Sequence, residues 1–336
     1  MPTHILNDAV ALLSHAKRIL ITTHVRPDGD ALGSLTALSL ALKSRGLDVT
    51  PLLLSRLPNK YSFVTKSVGL EVIVHDESAN APVPLAGYDT LIVVDTGTWS
   101  QLPGLKDSFA SFTGQSLILD HHLTQESWGT VRIADTAAPA AVEVVADLLD
   151  ALHIPITKDI ASALYVGLVT DTGYFAYNST RPATHRLAAR LLETGIDHNG
   201  IYQRIYQSES ARRLALQSRI MSSMQLIADN RLSVMTATAA DFAATGGDVT
   251  DTEGVINWPL QIATVKVSAL LTEPTSPTDA VRVSLRSKGD LDCAAFAQQF
   301  GGGGHARAAG IKLTQPFDQA VTTLTQSLLK TMAASA

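Results

Sequence analysis

Between residues 18 and 122, short apolar runs alternate with a stretch whose apolar positions recur at helical spacing. Residues 18–23, 49–54, 71–74, 90–94 and 116–119 read as strands, and 31–44, closed by Gly46, reads as a helix. This alternation predicts an α/β fold: a parallel sheet with helices on both faces. The helical period continues over 139–152, 158–169 and 182–193, with Pro139 suited to a first turn and Gly195 to a C-terminal stop. Residues 196–228 read as a polar, arginine-bearing helical connector without a strand signal. The alternation then restarts, with strands at 231–237, 264–271 and 280–285, helices at 291–300 and 317–330, and a turn at 275–277. The expected organisation is an N-terminal α/β domain over 1–195, the connector, and a smaller α/β domain over 229–336.

The composition narrows the class. With 46% hydrophobic and 17% charged residues, the chain has ample material for a globular core. A net charge of −5 is ill suited to gripping long duplex nucleic acid, which calls for a basic face, but it admits a small anionic substrate held by a few local cations. The lone Cys293 excludes an internal disulfide and fits a reducing compartment. No basic-then-apolar leader and no membrane-length run is present, so a cytoplasmic setting without a membrane partner is expected. The sequence is silent on oligomeric state and compatible with a homodimer.

The chemistry gathers where the strands end. His24, Asp28 and Asp30 follow the first strand, Asp95 follows the run at 90–94, and Asp120-His121-His122 closes the run at 116–119. Parallel sheets of open α/β folds place their sites at this C-terminal edge. Asp171, at the end of a helix, adds a further acid. Singly, Asp30 before Ala31 fits a helix cap, and Asp95 a cap or turn. Together, these groups bring too much like charge to one edge to exist without cations. Carboxylates with imidazoles form a hard, oxygen-rich set that favours Mn²⁺ or Mg²⁺, and the charge suits two ions about 3.5–4 Å apart. Asp120 could orient a neighbouring ring.

The motifs His24-Val25-Arg26-Pro27-Asp28-Gly29-Asp30-Ala31, Asp95, Asp120-His121-His122 and Asp171 resemble, in order, the four signatures of the DHH phosphoesterase superfamily. The segment Gly301-Gly302-Gly303-Gly304-His305-Ala306-Arg307-Ala308-Ala309-Gly310 resembles the glycine-rich signature of the domain that accompanies one branch of it. Size and order look most like the stand-alone oligoribonuclease and 3′,5′-bisphosphate phosphatase subgroup (nanoRNases). The resemblance implies that His24, Asp28 and Asp95 hold one Mn²⁺ and that Asp30, Asp95, His121 and Asp171 hold a second. It also implies that His122 stays off the metals and serves in catalysis, where an unliganded imidazole can protonate a leaving oxygen.

In the C-terminal domain, glycines lacking a Cβ let backbone N–H groups approach an anion, and Arg286 adds a guanidinium able to grip a phosphate. The family pattern implies that Arg286 and His305, with Gly303 and Gly304 beside them, bind the end of the substrate away from the metals. Arg307 suits a packing or surface role equally well. Asn178, Ser179 and Thr180 suit cap duty before the helix at Pro182, and the Tyr202–Tyr206 spacing suits helix packing. The expected activity is metal-dependent hydrolysis of short RNA to mononucleotides and of 3′-phosphoadenosine 5′-phosphate to AMP. The runner-up is a phosphodiesterase for cyclic dinucleotides or their linear products, ahead of a non-catalytic nucleotide sensor. A long-strand exonuclease would need a further binding module.

Overall fold

Branched and leucine-rich runs form strands where the periodicity predicts them, because residues alternating between two faces can bury both sides of a sheet that helices cover. The computed structural model describes residues 3–75, 82–276, 280–289 and 291–334, so the turn expected at 275–277 lies partly outside the described residues. The chain divides into two units, Met1–Ser208 and Glu209–Ala336.

The first unit begins with α1 (Thr3–His15), β1 (Arg18–Thr23), α2 (Gly29–Ser44), β2 (Asp48–Leu53), α3 (Ser62–Lys66) and β3 (Ile73–Val74). It continues with β4 (Thr90–Val94), α4 (Leu105–Phe109), β5 (Gln115–Asp120) and β6 (Val131–Ala134). Four helices close it: α5 (Ala141–Ala151), α6 (Lys158–Asp171), α7 (Pro182–Glu193) and α8 (His198–Tyr206). The strands form one sheet in the order β3-β2-β1-β4-β5-β6, and every pair is parallel. The order reverses between β1 and β4, and that switch point is where an open parallel sheet leaves a crevice beyond its strand ends.

Strand parity builds the core. Ile19, Ile21, Ile92, Val94, Leu117 and Leu119 join one cluster with Leu35 and Leu38 of α2, Leu149 of α5 and Leu164 of α6. Leu20, Leu91, Val93 and Ile118 face the other way, against Leu102, Leu105 and Trp128. The second face is thus covered by the short α4 and aromatic turns rather than by long helices. Helices α2 and α6 pack closely because Gly33 and Gly167 lie between them. A Cβ on Gly33 would come within 2.5 Å of the Ala163 carbonyl, and one on Gly167 within 2.8 Å of Asp30 Oδ1.

The second unit runs α9 (Ala211–Ser222), β7 (Gln225–Ile227), β8 (Leu232–Ala237), α10 (Ala239–Thr245), β9 (Val267–Thr272) and β10 (Val281–Ser287). It ends with α11 (Cys293–Gln298), β11 (Gly303–His305), β12 (Ala308–Leu313) and α12 (Phe317–Ala334). Its sheet has the order β11-β12-β10-β9-β8-β7, parallel only between β8 and β9. Val281, Val283, Leu285, Ala309 and Ile311 pack with Phe296 of α11 and Leu324 of α12. On the opposite face, Met235, Ala237 and Leu270 pack with Leu216 and Ile220 of α9 and Phe242 of α10.

The structure differs from several sequence expectations. The connector expected at 196–228 does not stand apart. Ile201 and Ile205 of α8 are buried in the first unit's core, Leu216 and Ile220 of α9 in the second's, and 225–227 is a strand. Pro139 precedes Ala140, the N-cap of α5, instead of occupying the first turn. The N-cap of α2 is Asp28, whose Oδ1 accepts the Asp30 and Ala31 N–H groups, so Asp30 is not the cap. Helix α7 is capped by Arg181, whose N–H is bonded by Thr184 Oγ1, so Asn178, Ser179 and Thr180 do not serve as caps. No helix among the described residues is long and apolar enough to cross a membrane.

Candidate metal centre and substrate face

Each acidic group at the first sheet's edge is held by backbone. Asp95 follows β4 directly, adopts φ +61°, and donates its N–H to the Leu119 carbonyl at 2.8 Å. A non-glycine residue in the left-handed region is strained, and such strain persists where surrounding structure over-determines it. Asp30 is fully buried, and its carboxylate accepts the N–H groups of Ala141 and, at 3.0 Å, Val142. It therefore serves the first turn of α5, where the helix dipole favours a negative charge and the N-cap Ala140 offers no side-chain acceptor. Asp171 is the last residue of α6 and is partly exposed.

These elements bring all six expected ligand residues together. His24 Nε2 lies 3.5 Å from Asp95 Oδ2, and His121 Nε2 lies 3.4 Å from Asp95 Oδ1. The same His121 nitrogen is 3.3 Å from Asp171 Oδ2 and 3.7 Å from Asp30 Oδ2. Donor atoms of His24, Asp28 and Asp95 fall within 4.8 Å of one another, and so do those of Asp30, His121 and Asp171. Asp95 thus turns one oxygen toward each group. A third combination, Asp95, His121 and His122, meets the same distance. There, however, His122 Nδ1 is already engaged with Asp120 Oδ1 at 2.8 Å.

The electrostatics explain why cations fit. Burial, reinforced by Asp95 and Asp171, pushes Asp28 above the usual carboxylate range and Asp30 well above it. Burial acts on Asp95 in the same sense, but His121 and His24 outweigh it and hold that carboxyl low. Burial would lower both imidazoles; Asp95 instead pushes His24 up to about 9, and Asp171, Asp95 and Asp30 push His121 up to about 11. Asp95 Oδ1 and His121 Nε2 are nevertheless buried without a hydrogen-bond partner. A buried polar atom left unpaired costs free energy that a bound ion recovers. Oxygen and imidazole donors without a thiolate suit a hard or borderline divalent cation.

Asp120 is fully buried beneath the two histidines. Its Oδ1 accepts the His121 N–H at 2.8 Å and the His122 N–H at 3.3 Å, besides bonding the His122 ring. The bond to Asp120 raises the His122 pKa above its ordinary value, against a lesser effect of burial, and the ring is half exposed. Gln125 donates to Asp120 Oδ2 and to the His122 carbonyl, while Arg132 Nη2 donates to Gln125 Oε1 at 3.0 Å. Gln125 and Arg132 escaped the sequence reading because no motif spacing marks them; the contact arises from β5 pairing with β6.

In the second unit, Gly303 and Gly304 of the glycine run enter β11, and Gly301 and Gly302 lead into it. Gly304 has φ +146°, and a Cβ there would meet the Ala308 carbonyl at 2.4 Å, so the close strand approach itself demands glycine. Register aligns His305 with Ala308 and Ala308 with Arg286, and likewise Gly303 with Gly310 and Gly310 with Ser284. Arg286, His305 and Gly303 therefore share one sheet face, opposite Val283 and Leu285. Arg282, Ser284 and Lys312 stand on it too, with Arg282 paired to Lys312. Alternation in 281–287 signals Arg282 and Ser284; only strand register reveals Lys312. Arg286 Nη1 bonds the Leu285 carbonyl at 2.9 Å, and His305 is exposed.

Comparison with known proteins places this arrangement. The DHH family N-terminal domain matches residues 18–168, and the DHHA1 domain matches 234–334. The bifunctional oligoribonuclease and PAP phosphatase NrnA of Thermus thermophilus is 30% identical over 296 residues, 88% of this chain and 84% of that protein. The protein of the same name from Bacillus subtilis is 25% identical over 315 residues, 91% of this chain and 92% of that one. The crystal structure of an exopolyphosphatase-related protein from Bacteroides fragilis superposes with a TM-score of 0.86 at 28% identity, covering 99% of this chain and 98% of that one. The chain belongs to the DHH phosphoesterase family, with a DHH domain in its first unit and a DHHA1 domain in its second.

Proposed function

We propose that this protein is a two-metal phosphoesterase that hydrolyses short oligoribonucleotides to mononucleotides and 3′-phosphoadenosine 5′-phosphate to AMP. The observation that carries the reading is Asp95, whose two oxygens face two separate donor groups from a strained, buried position. The names of the Thermus and Bacillus relatives supply the substrate class.

His24, Asp28 and Asp95 would hold one cation, and Asp30, Asp95, His121 and Asp171 the other, with Mn²⁺ the best match to the donor set. Bound divalent ions supply charge neutralisation at phosphoryl oxygens and acidify an attacking water. The remaining work falls to side chains. His122, fixed by Asp120 at Nδ1, presents its other nitrogen as a proton donor for the leaving oxygen. Asp120 raises the ring's pKa and orients it, and Gln125 with Arg132 keeps Asp120 in place. Arg286 and His305, with the backbone of Gly303 and Gly304, would bind the second phosphate or terminal nucleotide.

The test is a product profile from a 5′-labelled short RNA, 3′-phosphoadenosine 5′-phosphate and cyclic di-AMP, each with Mn²⁺ and with EDTA. Mononucleotides and AMP that form only with the metal are expected. Turnover of cyclic di-AMP alone would replace this reading with the cyclic-dinucleotide one.

A further inference from the structure

Beyond Asp171 the backbone makes an unusual turn. Gly173, Tyr174 and Phe175 all have positive φ, at 56°, 58° and 67°. The turn is tightly held: Tyr174 N–H bonds the Val169 carbonyl at 2.7 Å, Phe175 N–H bonds Thr172 Oγ1 at 3.1 Å, and Tyr177 N–H bonds the Thr172 carbonyl at 3.0 Å. It lays the Tyr177 ring on the Gly173 backbone, where a Cβ would lie 2.5 Å from the ring. Tyr177 is nevertheless 60% exposed. Its ring thus rests on Gly173, two residues past the candidate metal ligand Asp171, and is open to solvent.

The patch extends onto α8. Tyr174 packs edge-on against Tyr202 and Tyr206, with centroids 5.2 and 5.9 Å away, and Tyr202 lies 5.2 Å from Tyr206. The Tyr202–Tyr206 spacing thus packs α8 against the turn that follows α6. Tyr174, Tyr202 and Tyr206 form one ring cluster, and burial first, then the neighbouring Tyr177, Tyr174 and Tyr202, push the Tyr206 phenol above its ordinary range. Tyr206 is still 42% exposed, and Lys60 Nζ stands 5.6 Å from its centroid. Exposed rings with a cation over one of them match the chemistry of single-stranded nucleic acid, whose bases stack on aromatic faces while its phosphates meet positive charge.

We propose that this patch is a nucleobase-stacking subsite, with Tyr177 receiving the base next to the phosphate under attack and Tyr206 with Lys60 receiving the following nucleotide. The proposal rests on the phosphoesterase reading for its substrate. Its basis is reach: Gly173 is within about 7 Å of Asp171 along the chain, so a phosphate held there brings its own base to the ring.

Two measurements test it. The first compares KM for the dinucleotide pApA with KM for its counterpart lacking the base at one position. Tyr177→Leu should erase the preference for the base by roughly tenfold to hundredfold, with kcat nearly unchanged, and Tyr177→Phe should keep it. Equal loss in the Leu and Phe variants, or an unchanged preference in both, overturns the proposal. The second is calorimetric titration of AMP, a product that needs no turnover. Tyr177→Leu should weaken its binding by a similar factor, and equal affinity for wild type and variant overturns stacking. If the wild type hydrolyses neither RNA nor 3′-phosphoadenosine 5′-phosphate yet loses AMP affinity in Tyr177→Leu, the subsite stands and the hydrolytic reading falls.

Discussion

In the first unit, acids and imidazoles are buried at the ends of parallel strands. In the second, cations stand on β10 and β12 of a mostly antiparallel sheet, on the face that α9 and α10 cover at β8 and β9. The two arrangements impose different constraints. Asp30, Asp95 and Asp120 are each fixed by backbone donors or by left-handed geometry, and they sit where water cannot screen them. Arg286, Arg282 and Lys312 are aligned by strand parity and carry long side chains, of which Arg286 is tied to the Leu285 carbonyl. A preorganised, desolvated cluster favours the charge distribution of a reaction, whereas an exposed cationic face favours capture of an anion. Variants in the first unit should therefore damage turnover and metal content, and variants in the second should damage affinity.

The largest effect is expected at Asp95. Asp95→Ala removes the carboxylate shared by both donor groups. It should lower kcat on every substrate by more than about a hundredfold, the loss that an outer partner of a metal ligand can already cause. Elemental analysis should show reduced metal, and circular dichroism an intact fold. Near-normal rates after chelation and Mn²⁺ refilling would break the contrast between the units at its strongest point.

His122→Ala should come next, lowering kcat by about 10²–10⁴, the usual worth of a positioned proton donor. Metal content should stay at the wild-type level, because Nδ1 is committed to Asp120. Loss of a cation in this variant would make His122 a ligand and move the acid elsewhere.

Arg286→Ala sharpens the comparison from the other side. Losing a charge-assisted contact worth about 1.5–3 kcal/mol should raise KM for a dinucleotide roughly tenfold to hundredfold, with metal content and kcat little changed. A small aryl phosphate ester should barely respond. If it slows as severely as the dinucleotide, the affinity role of the second unit is wrong.

The smallest effect concerns thermal stability. His24 and His121 have folded pKa values raised from 6.5 to about 9 and about 11. Their contribution is complete below pH 6.5 and is lost as pH rises through about 9 and then about 11. EDTA-treated protein should accordingly lose stability above neutrality. Mn²⁺ competes with those protons, so its stabilising effect should grow over the same window. At a hundredfold excess over Kd, it should raise the first unit's midpoint by about 5–10 °C near pH 8. A metal-induced shift that is flat or falling between pH 6.5 and 9 would show that these imidazoles are not displaced.

The sequence by itself determined β1 to β5 and β8 to β10, the polar ends of the first sheet's strands and the identity of the groups gathered there, but not β6, β7, β11 or β12. Those signals are local: an apolar run that stops at Asp95 or Asp120 writes the edge of the sheet into consecutive residues. It also contained the alternation that sets Arg286 opposite Leu285. Only the tertiary structure decided which acid caps which helix, because Asp30 serves α5, more than a hundred residues away, while Asp28 takes the local role. Neither the Arg132–Gln125–Asp120 chain nor the pairing of Lys312 with Arg282 could be read along the chain, since each depends on strand register. The division of 196–228 between two cores was likewise hidden. Ile201 and Leu216 have the same helical period, and only the surface each one meets determines where it is buried.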